Sequence, residues 1–137
     1  MTEIEAEKHV IDAALAVHNK LGPGLVKPLY EIVLAHELYK RGIAVEQQKA
    51  IAIHYDALIF DDAFRADLVV ESVLIVEVKS AEALSAFDSQ RLLTYLKGSG
   101  LKLGLLINFG DVSLKNGIKR VTNGFWEEEH GFRILQS

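Results

Sequence analysis

Two apolar, β-branched runs constrain this chain more than anything else in it: Arg65-Ala66-Asp67-Leu68-Val69-Val70 and Leu74-Ile75-Val76-Glu77-Val78-Lys79. Segments that are apolar at nearly every position are strands covered on both faces, so Phe64 to Val70 and Val73 to Lys79 belong at the centre of a sheet. Glu71-Ser72 between them reads as the turn of a hairpin. Successive side chains of a strand point to opposite faces, which places Glu77 and Lys79 on one face. Pairing of the two runs brings Asp67 beside them. A charge in such a strand has to be paired, solvated in a cleft, or bound to a cation.

The flanking elements follow from periodicity. Ile4 to Leu21 carries Val10, Ala13, Ala14, Val17 and Leu21 at three- and four-residue spacing, a helix stopped by Gly22-Pro23-Gly24. A second helix is expected from Pro28 to Arg41, with proline in its first turn and Gly42 as its stop. Ala44 to His54 reads as a strand of mixed face. Leu58-Ile59-Phe60 reads as a short return strand before a turn at Asp61-Asp62. Ser85 caps a helix reaching Ser99, with Phe87, Leu92, Leu93 and Leu96 as its stripe. Leu101 to Asn108 is a further buried strand, and the strand–helix–strand order implies a parallel pair with the Glu77 strand. The 137 residues, half of them apolar, then make one α/β domain. Its residues 124–137 are a C-terminal extension in which Phe125 to Leu135 reads as a terminal hairpin or a docking segment.

Composition narrows the chemistry. The chain has no cysteine, which excludes disulfides and thiolate metal sites. No apolar run approaches the ~20 residues of a membrane span. The acidic start, Met1-Thr2-Glu3-Ile4-Glu5, lacks the basic and apolar regions of a signal peptide, so a cytoplasmic location is expected. A net charge of −4 does not advertise a nucleic-acid binder. From Arg91 to Asn123, however, six basic residues stand against one acid. That segment is either a phosphate-facing surface or a set of solvated lysines. His36-Glu37 lacks the second histidine of a helical zinc motif. His9, His18, His54 and His130 show no ligand spacing and read as solvated or capping side chains. Trp126, beside three glutamates, reads as an anchor on the domain or a dimer partner.

Asp67, Glu77 and Lys79 leave two readings open. One is a structural ion network at a strand edge. The other is a cation site, because a hard cation such as Mg²⁺ takes one or two carboxylates and keeps waters able to attack a phosphorus. Lys79 would then orient that water or neutralise charge on the phosphate.

Several motifs together resemble a known family. They are Gly22-Pro23-Gly24-Leu25, Tyr30-Glu31, Arg65-Ala66-Asp67-Leu68, Val76-Glu77-Val78-Lys79, the Gln90-to-Leu96 segment and Gly104-Leu105-Leu106-Ile107-Asn108-Phe109. From about His9 to Val121 the chain is similar to the GxxExxY family of the PD-(D/E)XK nuclease-like superfamily. The resemblance implies a restriction-endonuclease-like α/β fold, a central mixed sheet with helices on both faces. It also implies Mg²⁺-dependent phosphodiester hydrolysis on DNA or RNA, and a homodimer by analogy with restriction-like domains. Carried over, it makes Asp67 and Glu77 metal ligands, Lys79 the catalytic lysine, and Gln90 a glutamine beside the site. The competing implication is a binding or assembly module that kept the fold and lost the cation.

One departure bears on that choice. The family's named glutamate falls on Lys27, within Gly24-Leu25-Val26-Lys27-Pro28-Leu29-Tyr30. Lysine there puts a positive charge where the acid of other members helps hold a cation. Lys27 is therefore an inconsequential surface residue, a charge replacing the metal by pairing with Asp67 or Glu77, or an added phosphate contact. Glu31 lies one turn further on the same helical face, to substitute for the missing acid or to pair with Lys27.

Overall fold

The computed structural model describes residues 1–124, and the expected segment Phe125 to Leu135 lies outside them. Helices α1 (Glu3–Leu21) and α2 (Lys27–Lys40) come first, then strands β1 (Val45–Tyr55), β2 (Leu58–Val70) and β3 (Leu74–Lys79). Helix α3 (Ala86–Ser99), β4 (Leu103–Asn108), a 3₁₀ turn (Leu114–Gly117) and β5 (Ile118–Thr122) complete the order. The strands lie side by side in chain order as one five-stranded sheet. All neighbours are antiparallel except β3 and β4, the parallel pair that the intervening helix requires.

Alternation along the central strands divides the core into two layers. Leu68, Val70, Leu74, Val76, Leu105 and Ile107 pack under α1 and α2. Val69, Ile75 and Leu106 point the other way, against Leu92 and Leu96 of α3. The result is a mixed sheet with helices on both faces, a restriction-endonuclease-like arrangement. Capping boxes start two of the helices, Thr2 with Glu5 on α1 and Ser85 with Asp88 on α3. The β2–β3 turn places Glu71 and Ser72 at φ 52° and 59°. Such positive φ at both central residues is the backbone that tight hairpins need.

Three expectations are corrected. There is no turn at Asp61-Asp62: β2 runs unbroken from Leu58, and the register irregularity between Ile51 and Ile53 absorbs those residues within the strand. The chain reverses instead at Asp56-Ala57. The edge strand β5 and the 3₁₀ turn before it lie where no element was expected. His18 is neither solvated nor capping; it is buried, and its Nε2–H donates to the Asp111 carbonyl at 2.8 Å. Among the described residues, no helix is long and apolar enough to cross a membrane.

Candidate functional site

The β2–β3 ladder ends at the Leu68–Val76 pair. One residue further, side chains replace the backbone bonds. The Asp67 N–H donates to Glu77 Oε2 at 3.2 Å, and the Val78 N–H donates to Asp67 Oδ2 at 2.9 Å. A backbone N–H buried without a partner is unfavourable by about 1–3 kcal/mol, so each carboxylate is held by a strong local demand. Both acids are buried, Asp67 at 5% and Glu77 at 8% exposure.

Helix α2 approaches this point with its first turn. Lys27 Nζ lies 3.1 Å from Asp67 Oδ2, with 40% of the Lys27 side chain still exposed. Its position is set by a fastened loop. The Tyr30 hydroxyl donates to the Gly22 carbonyl at 2.5 Å and accepts from the Leu25 N–H at 3.1 Å. Ser80 Oγ donates to the Leu25 carbonyl at 2.6 Å, tying that loop to the end of β3. Of the readings open for Lys27, the ion pair with Asp67 is the one present. Among the described residues Glu31 forms no ion pair with Lys27. It is buried and accepts from Gln48 Nε2 at 2.5 Å.

Gln48 is the residue that sequence reasoning missed. Its Nε2 also donates to Asp67 Oδ1 at 3.2 Å, so one amide spans two acids. The backbone there has φ 48°, and the Gln48 carbonyl accepts from Arg65 Nη1 at 3.1 Å. A non-glycine residue at positive φ inside a strand is held by its surroundings, and here it turns the amide inward across β2. The only signal in the sequence was an amide pair, Gln47-Gln48, inside a strand of mixed face.

Lys79, two residues beyond Glu77, forms a loose ion pair with Asp88 in the first turn of α3, Nζ to Oδ1 3.8 Å. Arg91 approaches the same oxygen at 3.9 Å. Gln90 is exposed on α3, and among the described residues no hydrogen bond joins its side chain to either buried acid. The structure thus brings together Asp67, Glu77, Lys27, Glu31 and Gln48, with Lys79 at the end of the same strand as Glu77 and Gln90 exposed on α3.

Asn108, also unforeseen, secures that strand end. Its side chain bonds the Ala81 N–H at 2.9 Å, the Ala81 carbonyl at 3.0 Å and the Gly110 N–H at 3.1 Å. Gly110 packs so close that an added Cβ would meet the Ala81 carbonyl oxygen at 2.3 Å, a backbone atom that cannot turn aside. Gly110→Ala is therefore expected to lower stability by about 2–3 kcal/mol, read as a fall in the urea midpoint. An unchanged midpoint would mean that this contact relaxes freely. A groove of about 510 Å³, bounded by Gly24, Leu25, Lys27, Ser80 and Gly110, opens beside this junction.

The electrostatics divide the two central acids. Burial, then the hydrogen bond and charge of neighbouring Asp67, push Glu77 up to about 8. Burial also acts to raise Asp67. The proton shared with Glu77, the Val78 N–H and the Lys27 ammonium together outweigh it and hold Asp67 below the ordinary carboxylate range. Near neutrality Glu77 carries the proton and Asp67 the charge. Glu31 is raised by burial, only partly offset by its bond from Gln48.

These residues can be tested against a divalent cation. Among the described residues no group of three or more His, Asp or Glu converges on one point. Mg²⁺ does not need one, since it is held by one or two carboxylates and retained waters. Asp67 and Glu77 supply that pair, provided Glu77 releases its proton, as carboxylate ligands must. Lys27 stands against Asp67 in the cation's way. Its flexible stem is 40% exposed and can swing into solvent, and an entering cation would then take over the charge of buried Asp67. The donor set fits Mg²⁺ on those two conditions.

A family model described as the PD-(D/E)XK nuclease superfamily matches residues 4–121. No curated protein and no solved structure matches the chain.

Proposed function

This chain belongs to the PD-(D/E)XK nuclease superfamily, and from that premise we propose that it is a Mg²⁺-dependent phosphodiester hydrolase acting on nucleic acid. Its likeness to the GxxExxY family supports the narrower reading that it is a member of that family. The observation that carries the reading is the crossing of Asp67 and Glu77 between β2 and β3, just beyond the last pair of their ladder, with Lys79 two residues on. Asp67 and Glu77 would hold the cation, which when bound supplies an activated water and neutralises charge at phosphorus. Lys79 would direct its ammonium to the phosphate as charge builds there, and its 3.8 Å pairing with Asp88 is loose enough to exchange. Gln48 keeps Asp67 turned into the site and leaves Glu31 satisfied. Gln90 would support the site from α3.

The Lys27–Asp67 contact favours a second reading: the ammonium has replaced the cation, and the fold serves as a binding module. Cleavage of plasmid, single-stranded DNA and RNA with and without Mg²⁺ separates the two. The enzyme reading predicts cation-dependent cleavage that Asp67→Ala, Glu77→Ala and Lys79→Ala each reduce on the order of 100-fold or more. Absence of cleavage, or equal cleavage by all three variants, would overturn it.

A further inference from the structure

The β1–β2 hairpin extends well past the rest of the sheet. Strand β3 pairs with Leu68 to Val70 of β2, so residues 58–67 have β1 as their sole strand partner among the described residues. The inner half of this arm rests on α3. Phe64 stacks on Tyr95 with centroids 3.8 Å apart, and Ile53 fills the space that a side chain at Gly98 would take, 2.8 Å from such a Cβ. Beyond Ile53 the support ends, and residues 54–63 are all exposed. Tyr55, Leu58, Ile59 and Phe60 are 69%, 57%, 58% and 52% exposed. Tyr55, Leu58 and Phe60 share one face of the hairpin with Ile53, because Tyr55 pairs with Leu58 and Ile53 with Phe60, while Ile59 lies on the other face beside His54. A two-stranded hairpin alone in water is marginally stable, and a clustered apolar tip marks an interaction site.

The charges around the tip narrow its partner. Asp56, Asp61 and Asp62 surround it, the last paired with Arg65 at 3.4 Å, and the remaining negative charge opposes nucleic acid and equally opposes tip-to-tip packing of two arms. A complementary surface exists on the same chain. Between α1 and α2 lies an open groove of about 450 Å³, walled by Val17, Leu21 and Val33 and rimmed by Lys20, His36 and Lys40. Lys40 is 58% exposed despite its 3.2 Å pairing with Glu37. We propose that the β1–β2 arm of one copy docks in the α1–α2 groove of a second copy, and the second arm in the first groove. The exchange is two-fold and closes as a dimer. Apolar tip meets apolar wall, and the aspartates meet the lysines.

Sedimentation equilibrium tests this with variants at exposed positions. The parent chain is expected to dimerise with concentration, and Leu58→Ser with Phe60→Ser to be monomeric at the same concentrations, its circular dichroism unchanged. Asp61→Lys with Asp62→Lys should weaken the dimer about tenfold or more, as should Lys20→Glu with Lys40→Glu. Combining the two reversals should restore it, because opposite charges face each other again. A parent that stays monomeric overturns the proposal. So does a dimer indifferent to both reversals, or a combination weaker than either alone.

Discussion

Lys27→Glu is expected to bind Mg²⁺ about ten- to a hundredfold more tightly than the parent chain. Two changes act in the same direction. An ammonium 3.1 Å from Asp67 Oδ2 is removed, so a cation no longer has to displace it. A carboxylate is added at the first turn of α2, which contains no acid, and the positive end of the helix dipole favours it there. Lys27→Ala, which makes only the first change, should fall between the two. Titration calorimetry reads all three directly. Equal affinities would show that Lys27 does not compete for the site.

The second large effect concerns pH. The Glu77 carboxyl is raised from 4.5 to about 8 in the folded chain. Below the unfolded value both states are protonated, and the contribution to stability is complete. As pH climbs toward 8 the unfolded chain releases this proton while the folded chain retains it. Stability then falls with a slope of up to about 1.4 kcal/mol per pH unit, a loss on the order of a few kcal/mol by pH 8. Asp67, held low, acts in a separate and more acidic window, where stability drops as pH falls through its folded value. Glu77→Gln should abolish the slope between pH 5 and 8 and be more stable than the parent at pH 8. Urea denaturation in chelator-containing buffer measures both. A parent chain of constant stability over that range would contradict a buried, protonated Glu77.

The centre of the fold was legible because burial on both faces leaves a mark in sequence. Leu74 to Val78 and Leu103 to Ile107 are apolar at nearly every position, and each became a central strand. The arm left no such mark. Residues 54–63 are solvated on every side, so nothing distinguished a continuous strand from the turn that Asp61-Asp62 suggested. Strand β5 escaped for a related reason, as an edge strand whose Lys119 is exposed and whose Arg120 pairs with Glu7 of α1 at 2.8 Å, a contact that no local pattern announces. At the site, Asp67, Glu77 and Lys79 stood out as ionisable residues in apolar runs. Gln48 could not, since its reach toward both acids depends on a positive φ that no side chain announces. Lys27 was visible as a departure from the family pattern, but choosing among its readings required the distance to Asp67.

Under the proposed function, Asp67 and Glu77 share a place that a divalent cation enters once Lys27 withdraws. Thermal melting during Mg²⁺ titration of the parent chain and of Asp67→Ala addresses it most directly. Ligand at about 100 times its dissociation constant adds about 2.7 kcal/mol of stability, a rise of several degrees in Tm. The account predicts a saturable rise in the parent and none in Asp67→Ala. No rise in the parent, or the same rise in both, would contradict it.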